Sequence, residues 1–361
     1  MTKKNGKAEF LRFIFSIIII LYHCGRLIAN KELIGFGSFA GGYIGVEYFF
    51  VLSGFLMASS MAKRAQPEDH MKNAGPAFRR FMWGKIKRIF PYHLLAFIPL
   101  YIEDIWLNRY SALQLIKETI DLIPGFFLIQ KLGFEFHNLN SVEWYISAML
   151  IAMAVIFVIS YLNFDFYSKC IAPLLAFIII GWLLHDCGTV TGASSWDVFG
   201  YRCVWRAFAE INAGFFAYHI AQFLKKDRPT RGERRFLAVL EFLSAALVIL
   251  YGMYDMDGTY DIFPIIAVII FISISFSGIT PGGDLFDKKA VFFLGRLSFP
   301  MYLMQLFSIY LVREVMEGSS YFLQFSAVIA LTFGLSLVCL LLGDRLMKAI
   351  DRSALNRRLS A

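Results

Sequence analysis

Near its N-terminus the chain reads Glu9-Phe10-Leu11-Arg12-Phe13-Ile14-Phe15-Ser16-Ile17-Ile18-Ile19-Ile20-Leu21-Tyr22-His23. This stretch is apolar enough to cross a membrane as a helix, yet it carries a guanidinium and an imidazole. The step from Arg12 to His23 turns a helix by about 1100°, three turns plus roughly 20°, and advances it by about 16 Å. The two side chains are therefore predicted to share one helical face, and that face is expected to lie against protein or water rather than lipid.

The composition extends this interpretation to the whole chain. Of its 361 residues, 58% are hydrophobic and 17% are charged. A soluble domain averages about 25% charged residues and does not place apolar runs of about 20 residues one after another. We therefore predict an all-α, polytopic transmembrane helix bundle. The five cysteines and six histidines show no metal-ligand spacing, so no metal is expected.

Ten apolar segments are long enough to span a bilayer. They cover residues 10–29, 41–61, 90–107, 142–162, 170–185, 203–223, 236–254, 262–279, 291–312 and 321–343. The first is predicted to be a retained helix rather than a cleaved signal peptide. Pro91 is predicted to begin the third. The short apolar piece 122–129 is interpreted as a loop or re-entrant segment. We expect one integral membrane domain over residues 1–361, with no separate soluble domain.

The basic residues predict the orientation. With both termini cytoplasmic, most of the 35 lysines and arginines lie on the inner side, as the positive-inside rule requires. The outer side holds only Arg26, Lys31, Arg109, Lys117, Lys131, Arg202 and Arg313. This distribution explains the net charge of +8 without a nucleic-acid partner, and none is expected. The predicted location is the plasma (cell) membrane, with multiple passes through the lipid bilayer.

Ionisable residues within the spans are the first candidates for function, because a charge at membrane depth is costly. These residues are Arg12, His23, Glu47, Arg206, Glu210, Glu241 and Arg296. Arg206 and Glu210 are four residues apart, so an internal ion pair is as good an explanation as function. Glu241 and Arg296 lie near inner helix ends, which favours a structural role.

His23 and Glu47 are predicted to form the catalytic pair. Two antiparallel spans joined by a short outer loop would place Glu47 at about the depth of His23. A carboxylate beside an imidazole can select its tautomer and raise its basicity, as general-base catalysis requires. The competing interpretation is that His23 is a hydrogen-bonded packing residue.

A basic cluster precedes the third predicted span and reads Lys85-Ile86-Lys87-Arg88-Ile89-Phe90-Pro91. Basic residues at an inner membrane end commonly contact lipid headgroups. They can equally bind the phosphates of an anionic cytosolic ligand. The residues alone leave both interpretations open.

Together these motifs resemble acyltransferase family 3, a family of integral membrane acyltransferases. The resemblance rests on Arg12 and His23 with ten residues between them, on Gly45-Val46-Glu47-Tyr48-Phe49-Phe50-Val51-Leu52-Ser53-Gly54-Phe55, and on Lys85 and Arg88 before Pro91. Weaker matches are Trp144-Tyr145-Ile146-Ser147 and Leu294-Gly295-Arg296-Leu297-Ser298-Phe299-Pro300-Met301-Tyr302-Leu303. The ten-span prediction agrees, so the resemblance covers nearly the whole chain.

The resemblance implies transfer of an acyl group, usually acetyl from acetyl-CoA as co-substrate, to a hydroxyl of a cell-surface glycan or its lipid-linked precursor. His23 would be the catalytic histidine, either as general base or as acyl carrier. Arg12, Lys85 and Arg88 would contact the acyl-CoA donor. Because the chain lacks the extracytoplasmic esterase-like domain of some relatives, the helix bundle is expected to complete the transfer.

Three departures from the family pattern bear on the site. Lys85 stands where arginine is common, which weakens bidentate recognition of phosphate. Ser147-Ala148-Met149 lacks a glutamate that some members carry, and Gln305 stands where many members have a histidine. The outer segments 136–140 and 194–197 are further candidates for lining an acceptor groove.

Two other classes of function remain as alternatives. A secondary transporter or flippase of an anionic or lipid-linked sugar solute would fit ten spans with intramembrane charges, although no repeated halves are visible. A non-catalytic membrane scaffold would leave the shared face of Arg12 and His23 unexplained.

Overall fold

A computed structural model describes residues 5–359 except 30–34, 36, 64–69, 134–138, 193, 198, 228 and 255. The helices, in chain order, are α1 (Gly6–Leu27), α2 (Gly45–Ala62), α3 (Ala74–Asn108), α4 (Ala112–Asp121), α5 (Ile123–Phe126), α6 (Trp144–Leu162), α7 (Phe164–Phe166), α8 (Ala172–Cys187), α9 (Arg202–Asp227), α10 (Arg231–Met253), α11 (Ile262–Ser277), α12 (Gly283–Phe286), α13 (Lys289–Val315) and α14 (Tyr321–Leu359). A π-helical turn, Tyr167–Ile171, joins α7 to α8, and short 3₁₀ turns cover Ala40–Ile44, His70–Asn73, Ser141–Glu143 and Gly258–Tyr260.

Strands contribute little to the described residues. β1 (Trp196–Asp197) pairs with β2 (Gly200–Tyr201) in an antiparallel ribbon, with Trp196 opposite Tyr201. The predicted all-α class is thus confirmed. The short apolar piece 122–129 contains the four-residue helix α5 and no spanning helix.

Eight helical segments within the described residues are long and apolar enough to cross a membrane. They are Gly6–Leu27, Ala40–Ala62, Ser141–Leu162, Phe164–Cys187, Arg231–Met253, Gly258–Ser277, Lys289–Val315 and Tyr321–Arg352. The other two predicted spans, 90–107 and 203–223, fall within α3 and α9, which have 35 and 26 residues. Both helices are long, but their charged residues lower their hydropathy, so their crossing of the membrane stays a prediction.

The prediction that Pro91 begins the helix of the third span is wrong, while the position of the span itself stays a prediction. Helix α3 begins at Ala74 and continues through Pro91 and Pro99. A proline removes one backbone donor and bends a helix, but packing against neighbouring helices can hold the helix together across it. The preceding residues are polar, so hydropathy missed a helix that also carries Lys85 and Arg88.

Two helix pairings position the functional residues. Helix α1 runs parallel to α13, since Ser16 Oγ donates to Ser298 O at 3.2 Å and His23 meets Gln305 farther along. Gly295 allows this approach, because a Cβ there would overlap the side chain of Glu9. Gly295 is part of the sequence motif around Arg296, and the close packing of α1 on α13 is a physical reason for a glycine at this position.

Helix α3 runs antiparallel to α6. Phe81 stacks on Phe157 with ring centroids 4.6 Å apart, and His93 meets Glu143 at the other end of the pair. Along α3, Lys85 and Arg88 lie between Phe81 and His93, the two residues that make these contacts. They therefore lie on a segment that packs along α6.

Helices α2 and α9 cross at two glycines. A Cβ at Gly54 would overlap the carbonyl oxygen of Ile211, and a Cβ at Gly214 would overlap the carbonyl oxygen of Val51. Small residues at membrane-helix crossings let backbones approach closely. The glycine in the second-span motif therefore has a packing role, and the close approach brings Glu47 on α2 to Arg206 on α9.

Candidate active site

His23 lies in the last two turns of α1 and is half-buried. Its Nδ1 is 2.9 Å from the carbonyl oxygen of Ile19, one turn earlier, and 3.0 Å from Oε1 of Gln305 on α13. Both neighbouring atoms are hydrogen-bond acceptors. Nδ1 therefore carries the proton, and in the neutral ring the lone pair lies on Nε2. Nε2 makes no hydrogen bond within the described residues.

His23 lines a cavity of about 930 Å³. Aromatic rings and hydroxyl groups dominate the rest of the lining, together with two arginines. Residues of these kinds in the lining are Tyr22, Arg26, Ser38, Tyr43, Trp144, Thr189, Thr191, Ser194, Ser195, Arg206, Thr259 and Tyr302. A cavity of this volume with convergent polar groups has the dimensions and chemistry of a small-molecule site.

The predicted pairing of Glu47 with His23 is wrong. Both carboxylate oxygens of Glu47 accept hydrogen bonds from Arg206, one from Nη2 and the other from Nε at 3.2 Å. Arg206 Nε also donates to Glu210 Oε1 at 3.1 Å. Proximity along two antiparallel spans indicated the depth of Glu47 but not the face on which its side chain lies.

Arg206 therefore does more than form an i,i+4 pair with Glu210, because it connects α9 to α2 and to the 3₁₀ turn before α2. All three charged side chains are almost fully buried, and Nη2 also donates to Tyr43 O at 3.3 Å. The guanidinium carbon is 5.6 Å from the centroid of the Trp144 ring, within cation–π range. Buried carboxylates need such compensation, so Arg206 holds α2 and α9 together while forming part of the cavity wall.

Asp261, which was not among the candidates from the sequence, holds two residues of the cavity lining, Tyr43 and Thr189. Its carboxylate is fully buried and accepts from the hydroxyls of Tyr43 at 2.6 Å, Tyr251 at 2.7 Å and Thr189 at 2.7 Å. It also accepts from the backbone N–H of Val190 at 3.0 Å. Asp261 thereby fixes the segment after α8 against the 3₁₀ turn before α2.

The predicted donor-binding residues do not line the cavity of His23. Arg12 Nη1 contacts Glu9 Oε2 at 3.0 Å, and its Nε is buried without a hydrogen-bond partner among the described residues. Lys85 places its ammonium 5.6 Å from the Phe81 ring, and Arg88 is exposed. None of these three residues lines the cavity of His23: Arg12 lies earlier on α1, and Lys85 and Arg88 lie on α3.

The remaining charged candidates have structural partners. Glu241 Oε2 accepts from Lys7 at 2.7 Å and from Thr280 at 2.8 Å. Arg296 donates to Asp344 at 2.5 Å. These contacts agree with the structural role expected for both residues.

A second histidine, His93, was missed from the sequence. His93 Nδ1 is 2.7 Å from Glu143 Oε1, and its Nε2 is 3.0 Å from the carbonyl oxygen of Phe126. Both side chains are fully buried. The signal in the sequence was the position of His93, two residues after Pro91 at the predicted start of a span. A polar residue there can snorkel to the membrane surface, so its position did not indicate a buried partner.

The candidate acceptor segments are partly described. Residues 134–138 lie outside the described residues, so Phe136, His137 and Asn138 are not placed. Asn140 is buried and donates from Nδ2 to Leu303 O at 3.2 Å. Ser194 and Ser195 line the cavity of His23. Their part in an acceptor groove stays a prediction.

The fold and site together define a polytopic helical membrane protein with a histidine-lined cavity. The profile of the family described as "Acyltransferase domain" matches residues 5–341. The chain therefore belongs to acyltransferase family 3. Its members are acyltransferases that transfer groups other than aminoacyl groups.

Two curated proteins are similar to part of the chain. One is the peptidoglycan O-acetyltransferase OatA of Listeria monocytogenes, 26% identical over 131 residues, which are 36% of this chain and 18% of the relative. The other is the putative peptidoglycan O-acetyltransferase YrhL of Bacillus subtilis, 28% identical over 130 residues, with the same coverage of 36% and 18%. The match thus spans less than a fifth of either relative. No solved structure matches the chain.

Proposed function

We propose that this protein transfers an acyl group from cytosolic acyl-CoA to a hydroxyl of a cell-surface or lipid-linked glycan at the plasma membrane. The proposed acyl group is acetyl. Membership of the acyltransferase family supports the reaction class. The names of the two similar peptidoglycan O-acetyltransferases support an acetyl group and a glycan acceptor. The observation that carries the proposal is His23, which lines a polar cavity with its Nδ1 engaged by two acceptors.

His23 can perform the chemistry in either of two ways. As a general base, Nε2 takes the proton of the acceptor hydroxyl while that oxygen attacks the thioester carbonyl carbon. A C–O bond forms, the C–S bond breaks, and the leaving thiolate recovers a proton. As an acyl carrier, Nε2 attacks the thioester carbonyl carbon, a C–N bond forms, and the C–S bond breaks with release of the thiolate. The acceptor oxygen then attacks the acyl carbon, the C–N bond breaks, and the hydroxyl proton passes to the thiolate. Both routes require the same free lone pair.

The lining of the cavity is suited to a carbohydrate. Tyr22, Tyr43, Trp144 and Tyr302 present aromatic rings, whose apolar bodies can pack against a sugar ring. The hydroxyls of the three tyrosines are hydrogen-bonded within the protein. The serine and threonine hydroxyls of the wall can both donate to and accept from sugar hydroxyls. This combination supports a glycan acceptor at the end of α1 that carries His23.

The donor is proposed to bind toward the other end of α1. Arg12 has a buried Nε without a partner among the described residues, and its side chain is 27% exposed, so the guanidinium can be reached by an anionic ligand. Lys85 and Arg88 form no ion pair within the described part of the chain and can bind phosphates as point charges or forks. The donor's pantetheine arm would bridge the roughly 16 Å that separates Arg12 from His23 along the helix axis.

The test of the proposal is the variant His23→Ala. Cells producing this variant should lose O-acetylation of their surface glycan, at least about a hundredfold, because general-base or nucleophilic catalysis supplies that much or more. The measurement is mass spectrometry of the isolated glycan, with membrane protein levels checked by immunoblot. His185→Ala is the matched control, since His185 is an exposed histidine at the end of α8.

Two results would overturn the assignment. One is wild-type acetylation by His23→Ala at equal protein levels. The other is movement of a sugar solute that continues without acyl donor and without His23, which would favour the transporter alternative.

The donor residues are tested by the KM for acetyl-CoA in membranes. Arg12→Gln and Arg88→Gln should each raise it about tenfold, since one charge-assisted hydrogen bond contributes about 1.5–3 kcal/mol. Lys85→Arg should lower it, because a guanidinium can bind phosphate in two places. Arg79→Gln, an exposed arginine on the same helix, is the control. Equal changes in Arg79→Gln and Arg88→Gln would contradict a specific donor site.

A further inference from the structure

Gln305 lies at the point where α13 meets the end of α1, and its side chain is fully buried. Its amide makes two hydrogen bonds that use its two ends. Nε2 donates to the carbonyl oxygen of Tyr302 at 2.8 Å, while Oε1 is 3.0 Å from Nδ1 of His23. The amide thus connects the backbone of α13 to the imidazole.

The orientation of this amide follows from its partners. A carbonyl oxygen can only accept, so the NH₂ group of Gln305 must face Tyr302 O and its oxygen must face His23. If the amide were turned over, an N–H would point at Nδ1. Nδ1 would then keep only Ile19 O as an acceptor for its proton, and the Nε2–H tautomer, which has no lone pair on Nε2, would become more populated.

The segment of α13 that carries Gln305 is itself held in place. The hydroxyl of Tyr302 donates to Val142 O, and Asn140 Nδ2 donates to Leu303 O at 3.2 Å. These contacts tie the helix to the 3₁₀ turn before α6. The position of Oε1 is therefore determined by the packing of α13 and not by a free side chain.

We infer that Gln305 is the positioning residue of the site: together with Ile19 O it accepts the Nδ1–H of His23 and so keeps the lone pair on Nε2. This inference rests on the proposed function, in which that lone pair carries the chemistry. It replaces the carboxylate expected from Glu47, which the structure assigns to Arg206. A neutral amide orients the ring without adding a charge to the cavity wall.

The first experiment reads the tautomer directly. Ring ¹⁵N signals of His23 are recorded in detergent-solubilised protein labelled at histidine and are assigned by subtraction of the spectrum of His23→Gln. The wild type should show the Nδ1–H form. Gln305→Met, which keeps the size but leaves Ile19 O as the one remaining acceptor within the described residues, should add a fraction of the Nε2–H form. Gln305→Glu, which keeps an acceptor oxygen on the side chain, should return to the Nδ1–H form.

The second experiment reads the kinetics. Gln305→Met should lower kcat about tenfold with little change in the KM for acetyl-CoA, as is typical when a partner of a functional histidine is removed. Gln305→Glu should recover much of kcat. Gln222→Glu, the same substitution at an exposed position near the end of α9, is the control for the added carboxylate.

The outcomes separate this inference from the proposed function. An Nε2–H form in the wild type, or identical ring signals in the wild type and Gln305→Met, overturns the role of Gln305 whatever the activity. Equal losses of kcat in Gln305→Met and Gln305→Glu indicate a packing role and also overturn it. Retained acetylation in His23→Ala, by contrast, overturns the proposed function and leaves the tautomer result standing.

Discussion

Two histidines of this bundle differ in how many ring nitrogens the protein uses. His93 is fully buried and has both nitrogens hydrogen-bonded, one to Glu143 and one to Phe126 O. His23 is half-buried and has only Nδ1 bonded within the described residues, while its ring lines a cavity. His93 joins α3, α5 and the start of α6, whereas His23 keeps one nitrogen available to a ligand.

Under the proposed function, a carboxylate partner is no guide to which histidine is catalytic. Glu143 forms the histidine–carboxylate pair that resembles a catalytic arrangement, but it does so at a histidine with no free nitrogen. The proposed catalytic histidine has an amide and a carbonyl instead. Access of a ring nitrogen to a cavity, rather than the identity of its partner, distinguishes the two sites.

The larger predicted effect concerns His93. His93→Ala leaves the Glu143 carboxyl and the Phe126 carbonyl without their buried partner, so it should destabilise the protein by about 3 kcal/mol. The measurement is thermal unfolding in one detergent, read against His23→Ala, which should cost about 1 kcal/mol because His23 is half-buried and uses one nitrogen. The folded fraction of His93→Ala should retain its kcat.

His93→Gln serves as the matched variant, because its amide can still donate to Glu143 and should recover part of the lost stability. Loss of kcat per folded molecule in His93→Ala would break the comparison. It would show that the fully bonded histidine also takes part in the chemistry.

A smaller effect is predicted for Glu47→Gln. Arg206 keeps Glu210 as a counter-ion, so the substitution should lower the free energy of unfolding by only about 1 kcal/mol. Because Glu47 contacts Arg206 and not His23, the ring ¹⁵N signals of His23 should not change. A shift of those signals toward the Nε2–H form would show that Glu47 does control the imidazole, as its position in the sequence first suggested.

Several features were predictable because they depend on local composition. The apolar runs predicted the all-α class and ten spans, eight of which coincide with helical segments of the described residues that are long and apolar enough to cross a membrane. The motifs of α1 and α2 predicted the family. The start of α3 was not predictable from hydropathy. Its first turns are polar, and only contact with α6 shows that they belong to one continuous helix.

The partners of the site residues were the least predictable. Spacing along α1 predicts that Arg12 and His23 share a face, since that depends on helix geometry alone. The partner of His23 comes from α13, 282 positions away, and the partner of Glu47 comes from α9, 159 positions away. No local pattern encodes which distant helix packs against a given face.

The sequence by itself therefore determined the class of protein, the helices and the candidate histidine, because periodicity and apolar length act within a single segment. Only the tertiary structure decided that Gln305, not Glu47, meets that histidine, and that Arg206 neutralises Glu47. The physical reason is that the hydrogen bonds of a buried polar group depend on the rotation and contact of neighbouring helices. In this bundle the glycines at Gly54, Gly214 and Gly295 determine those contacts.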